Sequence, residues 1–174
     1  MKLNESLTPQ LKGRVTILAG SDMDQLDVLF EEKNLVVDAS QTVLAGLLQR
    51  DFVNYAVQFI GVGDGGDFDQ AAKVDTGARV APAVTDTELR SVIARIPILQ
   101  VDVNESDPLE WTYTAVAKKG EAVTTGFDEL SLETTNGTLV SHFITPADTL
   151  GGRARKYPKT TLEYLVFKWT IKLV

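Results

Sequence analysis

The stretch Tyr164-Leu165-Val166-Phe167-Lys168-Trp169-Thr170-Ile171-Lys172-Leu173 decides the fold class, because large apolar residues recur at every second position. Successive side chains of a β-strand point to opposite faces. One face of this strand therefore consists of Leu165, Phe167, Trp169, Ile171 and Leu173. Burial of each such side chain contributes about 1.5–3 kcal/mol, and a one-residue shift in pairing would expose all five. We therefore predict that this strand is a principal element of a β core.

Earlier segments have the same strand-forming character. The sequence predicts strands near residues 14–18, 55–60, 92–103, 109–118, 129–133 and 139–144. Pro97 has no amide hydrogen, so we expect it at a sheet edge or at a bulge. Asn136-Gly137 favours positive φ angles and predicts a type I′ hairpin between the strands at 129–133 and 139–144. The fold class is therefore mainly β, with an antiparallel β-sandwich-like domain.

A short helix is predicted near residues 39–50. Asp38 or Ser40 can cap its start, and apolar residues follow at helical spacing: Val43, Leu44, Leu47 and Leu48. Gly46 costs up to about 1 kcal/mol relative to alanine inside a helix. We therefore expect Gly46 to pack closely against another element.

The chain is interpreted as an arm followed by one domain. Residues 1–34 hold an acidic, ambiguous segment and one short strand, and they are assigned to an N-terminal arm. Residues 35–174 form the β-sandwich-like domain. Residues 61–90 and 145–160 show no sustained period and are assigned to long loops, of which the first is the expected contact region.

Composition excludes several kinds of protein. The absence of cysteine removes disulfides, thiolate metal sites and cysteine nucleophiles, and a single histidine leaves little for a histidine-ligated metal. No secretory signal or membrane-spanning apolar run is found, so we expect a soluble protein without a membrane partner. The net charge of −7 argues against nucleic-acid binding.

The charge is unevenly distributed along the chain. Residues 151–174 carry six lysines and arginines against one glutamate, a net charge of +5, so residues 1–150 sum to −12. This asymmetry either steers one subunit onto another or folds a basic segment onto an acidic body within one subunit. The interface candidates are Asp64, Phe68, Arg79, Arg153, Arg155 and Lys156.

The glycine-rich segment Gly61-Val62-Gly63-Asp64-Gly65-Gly66 matches the dinucleotide-binding pattern, but its context does not. No helical period follows the glycines, and the nearby carboxylates would repel a pyrophosphate. Asp64, Asp67 and Asp69 could instead hold calcium through oxygen ligands. Their spacing is not that of an EF-hand, so a solvated turn is favoured and no cofactor is predicted.

Two further patterns could suggest catalysis, and both are interpreted as structural. Ser141 and His142 are strand neighbours that point to opposite faces, so they cannot form a nucleophile–base pair. We expect a surface or half-buried histidine. Glu129 and Glu133 share a strand face roughly 13 Å apart at about 3.3 Å per residue, too far for glycoside hydrolysis, and a solvated face is expected. No enzyme activity is predicted.

The order of the motifs resembles a class of small tailed-bacteriophage tail or baseplate structural proteins. The segments that carry the resemblance are Leu35-Val36-Val37-Asp38 before the helix, Gly61-Val62-Gly63 after a strand, Ala81–Leu89, Phe127–Leu132, Asn136-Gly137-Thr138-Leu139 and Lys168–Leu173. The acidic loop and the longer turn at 151–159 depart from this pattern. These departures leave open which neighbour the subunit contacts.

This resemblance implies a virion protein without a reaction or a cofactor, made in the host cytoplasm. Its partners would be other tail or baseplate subunits and further copies of itself, in a ring or another oligomer. A carbohydrate- or receptor-binding module of a tail fibre is the alternative, but it needs an exposed aromatic platform, and Trp111 and Trp169 lie on predicted core faces. A calcium-binding β domain is the other alternative.

Overall fold

The computed structural model describes residues 11–149 and 151–174, which form strands with two short helices. The strands are β1 (Leu11–Asp22), β2 (Gln25–Val36), β3 (Val57–Gly63), β4 (Phe68–Asp69), β5 (Val74–Asp75), β6 (Val92–Asn104), β7 (Asp107–Ala117), β8 (Thr124–Phe127), β9 (Glu129–Thr134), β10 (Leu139–Ile144), β11 (Tyr157–Lys159) and β12 (Tyr164–Leu173). The helices are α1 (Ala39–Leu48) and α2 (Phe52–Tyr55).

Eight antiparallel strands close into a barrel in the order β1-β12-β7-β6-β3-β9-β10-β2. The prediction of a mainly β, antiparallel fold is confirmed, whereas the sandwich is replaced by a barrel. Two features close it. β6 pairs with β3 through residues 92–97 and with β7 through residues 98–104, so it joins the strands β1, β12 and β7 to the strands β3, β9 and β10. β2 pairs with β10 through Val36 and Leu35, which joins the remaining edges.

The core lies inside the barrel and is built around β12. Leu165, Phe167, Trp169 and Ile171 are buried, as their alternation predicts, and Leu173 at the barrel end is half-buried. Ala115 and Ala117 of β7 lie opposite Phe167 and Leu165. The small alanines leave room in the barrel interior for the large side chains of β12.

The N-terminal region departs from its prediction. Residues 11–34, assigned from sequence to an arm with a short strand, form β1 and most of β2. β1 lies between β12 and β2, with Val15 opposite Trp169. Residues 1–10 of the predicted arm lie outside the described residues.

Two local predictions at strand ends have different outcomes. Pro97 lies where pairing of β6 with β7 stops, beside a register shift between Ile98 and Gln100, so the expected bulge is present. The turn between β9 and β10 contains Asn136-Gly137, but only Gly137 has a positive φ, of 85°. A type I′ turn needs positive φ at both residues, so that turn type is wrong although the hairpin itself forms.

α1 covers the barrel end where β2 finishes and β3 begins. Asp38 stands at its N-cap without a side-chain cap hydrogen bond. Val43 is buried, whereas Leu44 and Leu48 of the predicted apolar stripe are exposed. Gly46 packs against the ring of Tyr55 in α2, which confirms the expected close contact. Neither helix in the described part of the chain has the length and apolarity to cross a membrane.

Replacing Gly46 with alanine tests this contact, because its two effects have opposite signs. Alanine favours a helix by about 1 kcal/mol over glycine, but its methyl group would overlap the Tyr55 ring. Overpacking typically costs about 1–3 kcal/mol. We expect Gly46→Ala to lower the free energy of unfolding in urea. Thr42→Ala, at an exposed position of the same helix, serves as the control, and a net gain for Gly46→Ala would contradict the packing.

Candidate functional site

β9 and β10 are buried on both faces. All six residues of each strand have little solvent contact. One face of each strand contributes to the barrel interior, where Leu130, Leu132 and Phe143 belong to the core. The outer face is covered by the segment that follows β3, residues 64–91, so this part of the barrel wall lies between two layers of protein.

The covered outer face carries polar residues. Glu129, Ser131 and Glu133 lie on it, and with His142 and Asp86 they form what we call the buried polar layer. Ser131 lies opposite Gly61 of β3, and Glu129 lies opposite Gly63.

The glycine pattern of β3 provides the space for this layer. A Cβ atom at Gly61 would collide with the side chains of Ser131 and Glu133, and one at Gly63 would collide with the carboxylate of Glu129 and the backbone of Ser91. The Gly-x-Gly motif therefore lies within a strand and makes room for buried carboxylates. It does not form a phosphate-binding loop.

His142 lies at the centre of the buried polar layer. Its Nδ1 is 2.7 Å from Asp86 Oδ2, and its Nε2 is 2.9 Å from Glu129 Oε1. Each ring nitrogen therefore lies within hydrogen-bond distance of a carboxylate oxygen. His142 and Glu129 are each 0% exposed, so this arrangement joins the covering segment to the barrel wall.

Arginines and backbone amides complete the layer. Glu129 also accepts hydrogen bonds from the amides of Arg90, at 2.9 Å, and Ser91, at 3.2 Å. Arg90 donates to the carbonyls of Val80 and Ala81, and its Nη2 lies 3.5 Å from Asp86 Oδ2. These bonds fix the covering segment to itself and to β9.

The carboxylate of Glu133, at the other end of the layer, accepts hydrogen bonds from a different pair of donors. Ser131 Oγ donates to Glu133 Oε1 at 2.6 Å, and Arg95 Nε donates to Glu133 Oε2 at 2.6 Å. Arg79 donates to the backbone carbonyls of Thr145 and Ile144 and so ties the covering segment to the end of β10. Buried carboxylates are tolerated when such donors surround them.

Two sequence-based expectations are therefore wrong. His142 is fully buried and not a surface or half-buried residue, and Glu129 and Glu133 do not lie on a solvated face. The expected separation of Ser141 from His142 is confirmed, because Ser141 donates to the carbonyl of Leu35 and accepts from Asn34.

The layer has the residue types of an acid–base site but not the accessibility. Both nitrogens of His142 are occupied by carboxylates, and the nearest strand hydroxyl, that of Ser131, donates to Glu133. General acid–base catalysis requires a proton donor or acceptor within reach of the substrate. In this conformation no nitrogen of His142 reaches solvent.

Asp128, next to the layer, has a perturbed acidity. Burial raises its pKa from 3.8 to about 6, a shift that the hydrogen bond from the Gly66 amide partly offsets. Its Oδ1 accepts that bond at 2.8 Å, whereas Oδ2 has no hydrogen-bond partner and lies 3.6 Å from Lys156 Nζ. The fold therefore binds a proton on Asp128 more tightly than the unfolded chain does.

The structure does not gather the proposed calcium ligands into one site. Asp64 accepts from Ser91 Oγ, Asp69 accepts from the amides of Ala71 and Ala72, and Asp67 pairs with Arg153. Residues 11–149 and 151–174 contain no group of three carboxylates or histidines arranged to hold a metal ion.

The interface candidates fall into two groups. Asp64, Phe68, Arg153 and Lys156 line one hollow of about 380 Å³, whereas Arg79 and Arg155 lie outside it. The basic residues are paired within the chain. Arg153 contacts Asp67 at 2.9 Å and Asp75 at 3.1 Å, and Arg155 Nε lies 3.9 Å from Asp148. The basic segment is therefore folded onto the acidic body of the same subunit.

The main exposed feature is an apolar surface at the barrel end that carries α1. The β6–β7 hairpin projects from this same end. β6 continues past its pairing with the start of β3, and β7 begins beside the end of β12. We call this surface the apolar end. Of the seventeen large apolar side chains exposed in the described residues, ten lie here: Leu44, Leu48, Phe52, Val53, Val84, Leu99, Val101, Val103, Leu109 and Val174.

Replacing His142 with leucine tests the buried polar layer. The variant removes the shared partner of the buried carboxylate of Glu129 and the half-buried carboxylate of Asp86. Removing one partner of a buried pair costs about 3–5 kcal/mol. Arg14→Ala is the control, since it breaks a half-exposed pair with Glu31, which is worth at most about 1 kcal/mol. Equal losses in urea unfolding would show that the layer does not hold the fold.

The perturbed Asp128 carboxyl predicts a pH effect of defined sign. Because its folded pKa of about 6 exceeds 3.8, its contribution to stability is largest below pH 4 and declines as the pH rises to about 6. A shift of this size corresponds to about 3 kcal/mol. Asp128→Asn should therefore flatten this decline relative to the wild-type chain, measured by thermal unfolding between these pH values. Asp24→Asn, in the exposed β1–β2 turn, is the control, and parallel curves for Asp128→Asn would refute the assignment.

Comparison with known proteins supplies no relative for this chain. No protein-family model matches it, and neither a curated protein nor a solved structure is significantly similar.

Proposed function

We propose that this chain is a non-enzymatic structural subunit of a bacteriophage tail or baseplate and assembles through subunit–subunit contacts. The order of motifs from Leu35 to Leu173 supports assignment to the tail and baseplate proteins. The exposed apolar side chains support association with other subunits. Its partners would be other virion subunits and further copies of the same chain.

The observation that carries the proposal is the apolar end. Exposed apolar side chains scattered singly are ordinary on a protein surface, whereas a concentration of them marks an interaction site. Here Leu48 is 78% exposed on α1 and Val103 is 59% exposed on the β6–β7 hairpin. Covering such residues provides a driving force for association.

The buried polar layer is consistent with the absence of catalysis. Its carboxylates and His142 bind one another, the arginines and the backbone, and they are closed off by residues 64–91. The tryptophans likewise offer no platform for a sugar ring, because Trp169 is buried and Trp111 is half-buried with its indole nitrogen donating to Tyr113.

Incorporation into particles tests the proposal. Leu48→Asp and Val103→Asp should fold, because both positions are exposed, but should lose most of their incorporation into tails in a complementation assay, because a carboxylate at a buried contact is unfavourable. Leu162→Asp is the matched control, since Leu162 is 72% exposed at the opposite end of the barrel.

The readout is the copy number of the chain per purified tail, determined by quantitative mass spectrometry. The wild-type chain and the control should be present in the same multiple copies per tail. Absence of the wild-type chain from purified virions would refute the structural role. Normal incorporation of both aspartate variants would instead refute the apolar end as the contact.

A further inference from the structure

We infer that residues 64–80, the first part of the covering segment, form a pH-sensitive strap that is closed in acid and opens more often as the pH rises towards neutrality. Its latch is the place where this strap meets residues 152–156, the crossing segment, over the carboxyl group of Asp128. The opening is a property of the single chain and does not depend on a role in a tail.

The strap is fastened to the barrel by polar contacts more than by apolar packing. Within the covering segment, which the structure describes throughout, Leu89 is the only large apolar side chain that is buried, and it lies beyond the strap. The fastenings are hydrogen bonds, such as that of Arg79 to the last carbonyl of β10. Segments with few buried apolar contacts open at a lower free energy than the core unfolds. The strap can therefore open while the barrel stays folded.

The latch holds the strap against two other parts of the chain. The amide of Gly66 donates to Asp128 Oδ1, just before β9, at 2.8 Å. Asp67 accepts from the amide of Ala154 in the crossing segment at 2.7 Å. A Cβ atom at Gly66 would lie 2.7 Å from the Cβ of Ala154 and 2.9 Å from Cγ of Asp128. The three parts of the chain therefore meet without space for a further atom.

The carboxyl group of Asp128 lies beneath the latch and is 0% exposed. Charged groups face it from each neighbouring element: Asp67 from the strap, Glu129 from β9 and Lys156 from the crossing segment. The two carboxylates oppose ionisation of Asp128, whereas Lys156 Nζ, 3.6 Å from Oδ2, favours it. Oδ2 has no hydrogen-bond donor among the described residues. The closed latch therefore disfavours the ionised carboxylate, chiefly because it excludes water.

Opening of the strap returns Asp128 to water and so restores its ordinary acidity. In the closed state burial raises the pKa of Asp128 from 3.8 to about 6. A carboxyl group with a higher pKa in the closed state favours closure in acid, and this contribution is lost as the pH rises through the closed-state pKa. The ratio of open to closed straps should therefore rise about 50-fold between about pH 4 and about pH 7.

The strap also covers one end of the buried polar layer. Gly65 lies against the carboxylate of Glu129, since a Cβ atom at this glycine would be 2.8 Å from Glu129 Oε2. Asp86 and Arg90, which contact the other side of the layer, lie outside the strap. Opening at the latch therefore admits water to Glu129 from one side, so that access to the layer follows the pH.

Residue-resolved hydrogen–deuterium exchange of the isolated full chain tests the strap, with each rate corrected for the intrinsic exchange rate at the same pH. The hydrogen-bonded amides of Gly66, Thr76 and Val80 report its opening. They should be less protected than the amides of β12 at every pH. Their protection should also fall about 50-fold between about pH 4 and about pH 7.

Asp128→Asn is the deciding variant, because asparagine keeps an acceptor for the Gly66 amide but cannot ionise. The strap amides should lose this pH dependence in Asp128→Asn and keep it in Asp24→Asn, which lies in the exposed β1–β2 turn. Lys156→Met removes the cation that faces Asp128, so it should move the change in protection to higher pH. A lysine with only a structural role would leave the pH dependence in place.

Gly66→Ala tests the close contact at the latch without changing any titratable group. Its methyl group would collide with Ala154 and Asp128, so the strap amides should lose protection several-fold even in acid. The amides of β12 should keep their protection, because the barrel core is unchanged. Full protection of the strap in this variant would contradict the latch.

The other contrary results are equally specific. Equal protection of the strap and β12 amides would show that the strap opens only when the whole chain unfolds. The same pH dependence in the wild-type chain and in Asp128→Asn would show that another group controls the opening. If circular dichroism shows that Asp128→Asn does not fold, Lys156→Met decides, since an unshifted pH dependence in that half-exposed variant would overturn the inference.

Discussion

The pairing of His142 with Asp86 and Glu129 is the interaction on which the surface of this protein depends. It fastens residues 64–91 over the outer face of β9 and β10, where three ionisable side chains lie away from solvent. Without His142, the buried carboxylate of Glu129 would keep only the amides of Arg90 and Ser91 as hydrogen-bond donors, and a buried carboxylate that loses a partner is destabilising. His142 and the carboxylates beside it therefore hold one layer of protein on another, and the surface that we propose for assembly lies at the apolar end.

That arrangement makes the two ends of the barrel unequal. At the end where β9 and β12 begin, β8 and β11 pair with each other. Phe127, Tyr157 and Phe30 form an aromatic cluster beside them. At the other end, α1 covers the interior with Val43 but leaves Leu44 and Leu48 in water. The hairpin of β6 and β7 extends past the core at this end. The proposed assembly surface is therefore the end at which the chain leaves its own apolar residues exposed.

The sequence predicted individual strands and turns better than it predicted the closure of the strands into a barrel. The alternation in β12, the hairpin at Gly137 and the close packing of Gly46 each depend on nearby residues, and the sequence pattern predicted them, although it predicted the wrong turn type at Gly137. The barrel depends on long-range pairing of an acidic segment, β2, whose pattern is not that of a strand. The sequence did not predict the buried polar layer, because burial of Glu129 depends on residues distant in the chain. Glu129 contacts His142, and His142 in turn contacts Asp86 of the covering segment. Gly61 and Gly63, which lie opposite Ser131 and Glu129, were the available indication in the sequence.

Hydrogen–deuterium exchange of the chain, alone and within assembled tails, tests the central claim most directly. If the apolar end is the contact, backbone amides in the hairpin at residues 99–109 and in α1 should exchange more slowly in the assembly, because a neighbouring subunit would cover them there. Amides of β9 and β10 should exchange slowly in both states, since residues 64–91 already cover them. Unchanged exchange at the apolar end together with new protection around residues 64–91 would contradict the proposal, because it would place the contact on the segment that covers β9 and β10.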